Sequence, residues 1–254
     1  NSHLESQVHD RTRALLKTRN AVPVGLARLA ESRDKDTGEH LERLRSYVTV
    51  LASELAKSNP EIDHHFVADL SVAATLHDIG KVGIPDEVLL KEGELTPTER
   101  KAMEMHTTLG SECLSVVRRQ LGDDDFLEMA QQIAASHHEH WYGCGYPEGL
   151  RGKEIPLPAR IVALADVYDA LTSERPYKDA IAHEEARDWI VTRYGEQFDP
   201  AVVEAFVGGE KDFLRIFTEN QKKIAAAQPS SDAESVAESM PSNEEESVCD
   251  APQV

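Results

Sequence analysis

A histidine, an aspartate and a lysine stand close together in residues 76–81, Leu-His-Asp-Ile-Gly-Lys. His77 and Asp78 place an imidazole beside a carboxylate, and Lys81 adds an ammonium group three residues later. The residues before them are mostly apolar at helical spacing, which predicts a buried helix that Gly80 ends. Burying such a pair is costly unless a partner neutralises it. A metal ion would do so, because both groups are ordinary metal ligands; a structural hydrogen bond between them is the alternative.

Other metal-binding residue types occur in comparable settings, near helix ends or inside apolar runs. They are His40, His106, His137, His138 and Asp166. With His77 and Asp78 they make seven groups, more than the four to six places around one ion. The set therefore predicts two ions that share a bridging carboxylate. The remaining histidines lie in polar or loop-like contexts and are predicted to have no metal role: His3, His9, His64, His65, His140 and His183.

Composition excludes several classes of protein. The 254 residues carry a net charge of -19, which argues against binding to duplex nucleic acid. No apolar run approaches the roughly 18 residues of a membrane span. The three cysteines are odd in number and have no CxxC spacing, which predicts a reducing, cytoplasmic compartment. Because residue 1 is Asn, we expect the chain to be part of a longer protein, or to begin with added residues at Asn1-Ser2-His3.

Helical periodicity runs through most of the chain, and strand alternation is almost absent, so the predicted class is all-α, a compact helical bundle. Predicted helices cover 24–33, 37–57, 123–138, 158–172, 184–194 and 210–227. Thr96-Pro97-Thr98-Glu99 has the pattern of a capping box, and Asp199-Pro200 predicts another helix start. Residues 139–156 are rich in Gly and Pro and predict a long loop over the site.

Three segments follow from these patterns. Residues 1–21 are predicted to be a linker helix, joined to a regulatory domain or a dimer partner. Residues 22–227 form the helical domain. Residues 228–254 contain seven acidic residues and no Lys or Arg, which predicts an acidic disordered tail.

Five separated motifs resemble those of the HD-GYP domains, which are bacterial phosphodiesterases of cyclic di-GMP within the HD metal-hydrolase superfamily. In order they are His-Asp at 77–78, His-His-Glu at 137–139, Gly-Cys-Gly-Tyr-Pro at 143–147, Asp-Val-Tyr-Asp-Ala-Leu-Thr at 166–172 and Arg-Pro-Tyr-Lys at 175–178. The resemblance covers about residues 22–226. It implies an all-helical domain with a di- or trinuclear iron or manganese centre.

The resemblance also implies residue roles. The ligands would be His40, His77, Asp78, His106, His137, His138 and Asp166, with Asp78 bridging. Lys81 would lie near the metals and the scissile phosphate. The loop residues Gly145, Tyr146 and Pro147, together with Arg175 and Lys178, would hold the dinucleotide.

Two positions depart from the family pattern. Many members have Glu where this chain has Asp36, and that Glu helps to hold a third metal ion. Because Asp is shorter, a dinuclear centre is expected, with Asp36 as a third-site candidate only. The usual Asp before the Gly of the loop is Tyr142 here, which alters local hydrogen bonding but removes no ligand.

The sequence therefore predicts a phosphodiesterase that cleaves cyclic di-GMP, to pGpG or GMP, by a hydroxide bridging two metal ions. Lys81 and Asp78 are the predicted catalytic residues. Three alternatives stay open at this point: cyclic GMP-AMP as the substrate, a weakly active domain that binds the dinucleotide or a partner protein, and another HD phosphohydrolase acting on nucleotides.

Overall fold

The computed structural model describes residues 2–33, 39–122, 124–174 and 180–227. Within these ranges the chain forms ten α-helices. They are α1 (Ser2–Glu31), α2 (Glu39–Ala56), α3 (His64–Ala73), α4 (Asp86–Leu89), α5 (Pro97–Leu121), α6 (Asp125–Ser136), α7 (Leu157–Thr172), α8 (His183–Thr192), α9 (Pro200–Gly208) and α10 (Glu210–Ala227). The same ranges contain no β-strand and a single isolated bridge, between Tyr194 and Phe198. The predicted all-α class is confirmed.

Helix α2 lies at the centre of the bundle and packs against α3, α7 and α9. Its buried side chains recur every three or four residues along one face: Leu41, Leu44, Tyr47, Val48 and Leu51. Helix α7 is apolar on nearly all sides and is buried from Pro158 to Thr172 with few exceptions, as expected for a helix surrounded by others. These two helices carry His40 and Asp166, so the core itself positions two predicted ligands.

An aromatic cluster fixes α2 and α7 against α10. The ring of Tyr47 stacks on Phe213 with centroids 4.7 Å apart, and meets the edge of Tyr168 at 5.0 Å. All three rings are almost completely buried. Aromatic pairs add about 0.5–1.5 kcal/mol beyond the area that they bury. The cluster therefore stabilises the relative placement of the helices that carry the site.

The predicted helix boundaries around 76–81 were wrong. Helix α3 ends at Ala73, and two short 3₁₀ turns follow, Ala74–Leu76 and Ile79–Gly83. His77 and Asp78 lie between these turns, and Gly80 lies inside the second. A Cβ atom on Gly80 would come 1.9 Å from the carbonyl oxygen of His106. Gly80 thus permits close contact with α5 rather than ending a helix.

Several local signals are confirmed. Thr96 caps α5 in a complete capping box with Glu99, and the Asp199 side chain caps α9. Helix α10 has the predicted limits. The separate helices expected at 1–21 and 24–33 form one helix, α1, which continues through Pro23. None of the described helices combines the length and the hydropathy of a membrane span.

Candidate metal centre

The seven predicted ligands converge from five parts of the fold into two groups. The four-residue group contains Asp78, His106, His137 and His138. The three-residue group contains His40, His77 and Asp166. Within each group the ligand atoms lie within 4.8 Å of one another. Three or four side chains at this separation can surround one divalent ion. The structure therefore brings together every predicted ligand among the described residues.

Asp78 faces both groups. Its Oδ1 atom lies 3.2 Å from Nε2 of His106 and 3.6 Å from Nε2 of His137, in the four-residue group. Its Oδ2 atom lies 3.3 Å from Nε2 of His77, in the three-residue group. One carboxylate oxygen is thus available to each group, as the bridging role requires.

Hydrogen bonds orient three of the imidazoles. His77, His106 and His137 each place Nδ1 at 2.8–3.0 Å from a backbone carbonyl oxygen three or four residues earlier. A carbonyl only accepts, so each Nδ1 carries a proton, and in the neutral form of each ring the lone pair is on Nε2. The Nε2 atoms of His106 and His137 lie 3.4 Å apart. Two lone pairs at that distance repel unless a cation lies between them.

Two buried polar atoms also fit the binding of a cation. Nε2 of His77 and Oδ1 of Asp78 are buried and make no hydrogen bond of good geometry. Leaving such atoms without a partner costs about 1–3 kcal/mol each. A divalent ion in each group would satisfy both atoms, and imidazole with carboxylate is a donor set that iron, manganese and zinc accept. The residues present therefore fit the metal centre that the resemblance implies.

The protonation states of Asp78 and His106 support the same assignment. Burial would raise the pKa of the Asp78 carboxyl, but Lys81 and His77 outweigh it and hold the pKa well below its usual value. Burial lowers the pKa of His106 to about 4. These two groups are thus ionised and neutral, respectively, at neutral pH, which are the forms that bind metal. Burial lowers the pKa of His77, yet the carboxylates of Asp78 and Asp166 outweigh it and raise the pKa to about 9. Without an ion His77 is therefore protonated at neutral pH, and it must lose that proton when a metal binds.

Lys81 lies directly beside the bridging carboxylate. Its Nζ atom is 2.9 Å from Oδ2 of Asp78, and both side chains are partly exposed. The ammonium group is therefore at the open side of the site, where it can reach a bound anion. Its predicted place beside the metals and the scissile phosphate stays a prediction.

The predicted substrate loop is fastened by a glutamate to which the sequence analysis gave no role. Glu139 is buried, and its carboxylate accepts hydrogen bonds from the backbone N–H groups of Glu148, Gly149 and Leu150. A Cβ atom on Gly145 would come 2.4 Å from the carbonyl oxygen of His138. Gly145 therefore has a packing role, which lets the loop lie against the end of α6.

Tyr146 lies next to the four-residue group. Its ring stacks on His138 with centroids 4.7 Å apart and planes inclined by 23°. The following peptide bond, Tyr146–Pro147, is cis, and Pro147 is exposed. One face of the Tyr146 ring is therefore occupied, which leaves only the other face and the hydroxyl for a ligand.

A further carboxylate, which the sequence analysis missed, lies beside the three-residue group. Glu31, the last residue of α1, is 7% exposed, and its Oε1 is 3.9 Å from Nε2 of His40. The sequence gives no sign that Glu31 lies beside His40, because this contact depends on how α1 packs against α2.

Some predictions concern residues outside the described ranges: Asp36, Arg175 and Lys178. The histidines predicted to have no metal role include four with described side chains, and none of these four belongs to either group. Their predicted polar setting was wrong for His183, which is 2% exposed. Its Nδ1 lies 2.7 Å from the hydroxyl oxygen of Tyr168.

The chain is similar to one described protein family and to several curated proteins. The family model described as "HD domain" matches residues 25–202. The chain is 48% identical over 202 residues to a protein of Vibrio cholerae serotype O1 named "Cyclic di-GMP phosphodiesterase", covering 78% of this chain and 41% of that protein. It is 42% identical over 204 residues to "Cyclic di-GMP phosphodiesterase response regulator RpfG" of Xanthomonas campestris pv. campestris, covering 80% and 51%.

A solved structure is also similar. It is titled as a cyclic GMP-AMP specific phosphodiesterase of Vibrio cholerae, V-cGAP3, and aligns with a TM-score of 0.51 and 25% identity, covering 82% of this chain and 53% of that one. The chain spans about half the length of the curated relatives that it matches. Since the family model covers most of the chain and the ligand set lies within the matched residues, the chain belongs to the HD domain family.

Proposed function

We propose that this chain is a metal-dependent phosphodiesterase that hydrolyses a cyclic dinucleotide, with cyclic di-GMP as the first substrate to test. The observation that carries the proposal is the position of Asp78, with one oxygen toward each ligand group and Lys81 2.9 Å away. The names of the curated relatives, at 42–48% identity, support the substrate class.

The proposed centre holds two divalent ions, iron or manganese, one in each ligand group. When bound, two such ions supply an activated water and neutralise charge on the phosphoryl oxygens. The four-residue group and the three-residue group share Asp78, whose ionised carboxylate would hold them at a fixed separation. Asp36 remains only a candidate for a third site.

Lys81 would act on the leaving group. Hydrolysis forms a bond between phosphorus and the water oxygen and breaks the bond to a ribose oxygen, which must gain a proton. An ammonium group at the open side of the site can donate to that oxygen and stabilise its developing charge. Its hydrogen bond to Asp78 holds Nζ in place before the substrate arrives.

The loop supplies the proposed base contact. The face of the Tyr146 ring opposite His138 is proposed as the surface on which guanine stacks, and Glu139 keeps the loop in that position. Arg175 and Lys178 are proposed to bind the second phosphate, Arg through a bidentate fork. Local positive charge from these groups and the ions would allow an acidic chain to bind an anion.

Cyclic GMP-AMP is a second candidate substrate, favoured by the similarity to the V-cGAP3 structure. Exchange of one purine would not alter the contacts to the phosphates.

We also propose that residues 22–227 are the catalytic unit, with a linker before them and an acidic tail after them. The boundary between residues 21 and 22 lies inside α1. A cytoplasmic location stays a prediction.

The experiment is product identification with anaerobically purified protein. Cyclic di-GMP and cyclic GMP-AMP are incubated separately with protein loaded with Fe(II) or Mn(II), and with the same protein after chelation. We expect linear or mononucleotide products from at least one substrate, lost on chelation and restored by either metal. Binding of the dinucleotide without any product would favour the alternative of a weakly active domain that binds the dinucleotide or a partner protein. Hydrolysis at an unchanged rate after chelation would contradict the metal centre.

A further inference from the structure

His40 is oriented differently from the other ligand histidines whose Nδ1 contacts are known. His77, His106 and His137 donate Nδ1–H to carbonyls of their own chain segment, three or four residues earlier. The Nδ1 atom of His40, on α2, instead lies 2.7 Å from Oδ2 of Asp169, on α7. The orientation of this ligand therefore depends on a side chain from another helix.

Asp169 is itself held rigidly. It is 1% exposed, and Arg43 of α2 donates Nε to Oδ1 at 2.6 Å and Nη2 to Oδ2 at 2.8 Å. The same Nη2 also lies 3.0 Å from Oγ of Ser173. A bidentate guanidinium–carboxylate pair fixes geometry as well as charge. A buried carboxylate that is paired in this way keeps one orientation toward His40.

This arrangement determines which nitrogen of His40 can bind a metal. An ionised carboxylate only accepts, so Nδ1 of a neutral His40 carries the proton and Nε2 carries the lone pair. That Nε2 lies 3.7 Å from Oδ1 of Asp166, inside the three-residue group. A carboxylate behind a metal-binding histidine fixes its tautomer and raises its basicity as a ligand.

We propose that Asp169, held by Arg43, is a positioning residue that sets the metal affinity of the three-residue group through His40. The inference rests on the proposed function, because it assumes that this group binds an ion. It assigns no contact with metal or substrate to Asp169. It predicts that a mutation outside both ligand groups can lower the metal affinity of the three-residue group and leave that of the four-residue group unchanged.

The test is Mn(II) binding to metal-free protein, followed by electron paramagnetic resonance of the free ion. Asp169→Asn keeps the shape of the side chain but removes its charge. We expect one of the two ions to bind roughly 10–100-fold more weakly, the usual effect of changing a group behind a metal ligand. The other ion, in the four-residue group, should bind as in the wild type.

Asp199→Asn is the matched control. Asp199 is another buried carboxylate paired with an arginine, Arg160, but it caps α9 and belongs to neither ligand group. Both variants should melt at a lower temperature than the wild type, and only Asp169→Asn should lose metal affinity. Equal Mn(II) binding by Asp169→Asn and the wild type would overturn the inference while leaving the proposed function intact.

Arg43→Lys provides a second test if Asp169→Asn fails to fold. Lysine keeps the charge but cannot donate to both carboxylate oxygens in a fork, so we expect a several-fold loss of affinity at one ion only. Unchanged binding by a folded Arg43→Lys protein would then overturn the inference. A wild-type chain that binds no Mn(II) tightly would overturn both this inference and the proposed metal centre.

Discussion

Arg33 binds the backbone of the segment that carries Lys81. Its Nη1 atom lies 3.2 Å from the carbonyl oxygen of Lys81 and also donates to that of Val82, while Nη2 reaches the carbonyl oxygen of Ile84 at 3.2 Å. The first two carbonyls lie inside the 3₁₀ turn Ile79–Gly83, and the third belongs to the residue that follows it. Arg33 follows α1 by two residues, so the position of α1 and the position of Lys81 are mechanically linked.

Replacing Arg33 should therefore slow turnover without emptying the metal centre. We expect Arg33→Ala to lower kcat by about tenfold, because small displacements of a positioned group are costly in rate. Metal content should stay at the wild-type level. Asp86→Asn is the control, because it removes only the ion pair between Arg33 and Asp86. The Asp86 side chain is 69% exposed. Equal kcat for Arg33→Ala and the wild type would exclude the link.

Lys81→Ala should keep the metal ions and slow hydrolysis by roughly 10²–10⁴, the range for a positioned acid–base group. The matched control is Lys57→Ala, which removes another lysine that pairs with a carboxylate three residues away, at the surface just past the end of α2. Steady-state rates measure the loss of catalysis, and elemental analysis of the same samples shows whether metal has been lost. A wild-type kcat in Lys81→Ala would remove Lys81 from the mechanism.

Asp78→Ala should abolish metal binding and hydrolysis together, because both ligand groups lose an oxygen and two cations would face each other without a shared anion. Asp166→Ala removes a ligand from the three-residue group alone, so it should retain about one ion per chain. The measurement is metal content after anaerobic loading. If Asp78→Ala retained two ions, the bridging assignment would be wrong.

The capping box of α5 predicts a pH effect on stability that is independent of the metals. Hydrogen bonds from Lys91 and Thr96 lower the pKa of Glu99 to about 2. A carboxyl with a lowered pKa in the folded state stabilises it above the ordinary pKa near 4.5 and loses this contribution as pH falls toward 2. Glu99→Gln should therefore lower the melting temperature at pH 7, with a difference that shrinks toward pH 2. A difference independent of pH would contradict this.

The convergence of the candidate ligands was predictable because imidazoles and carboxylates in apolar surroundings need a partner, wherever they lie in the chain. Helix starts were predictable for a similar reason, since Thr96 and Asp199 act on their own backbone. The 3₁₀ turns around His77 were not predicted, because Gly80 was interpreted as a helix end. Its actual role, close contact with the backbone of α5, depends on tertiary packing, which a local sequence pattern does not contain. Asp169 is part of a recognised motif, but its role appears only when α7 packs against α2.

The central claim is that two ions sharing Asp78 are needed for hydrolysis. The most direct measurement is turnover of the cyclic dinucleotide as Mn(II) or Fe(II) is added stepwise to metal-free protein, with bound metal determined at each point. We predict no turnover without metal, little at one bound ion per chain, and maximal turnover at two. Full turnover at one ion per chain, or in the presence of excess chelator, would contradict the account.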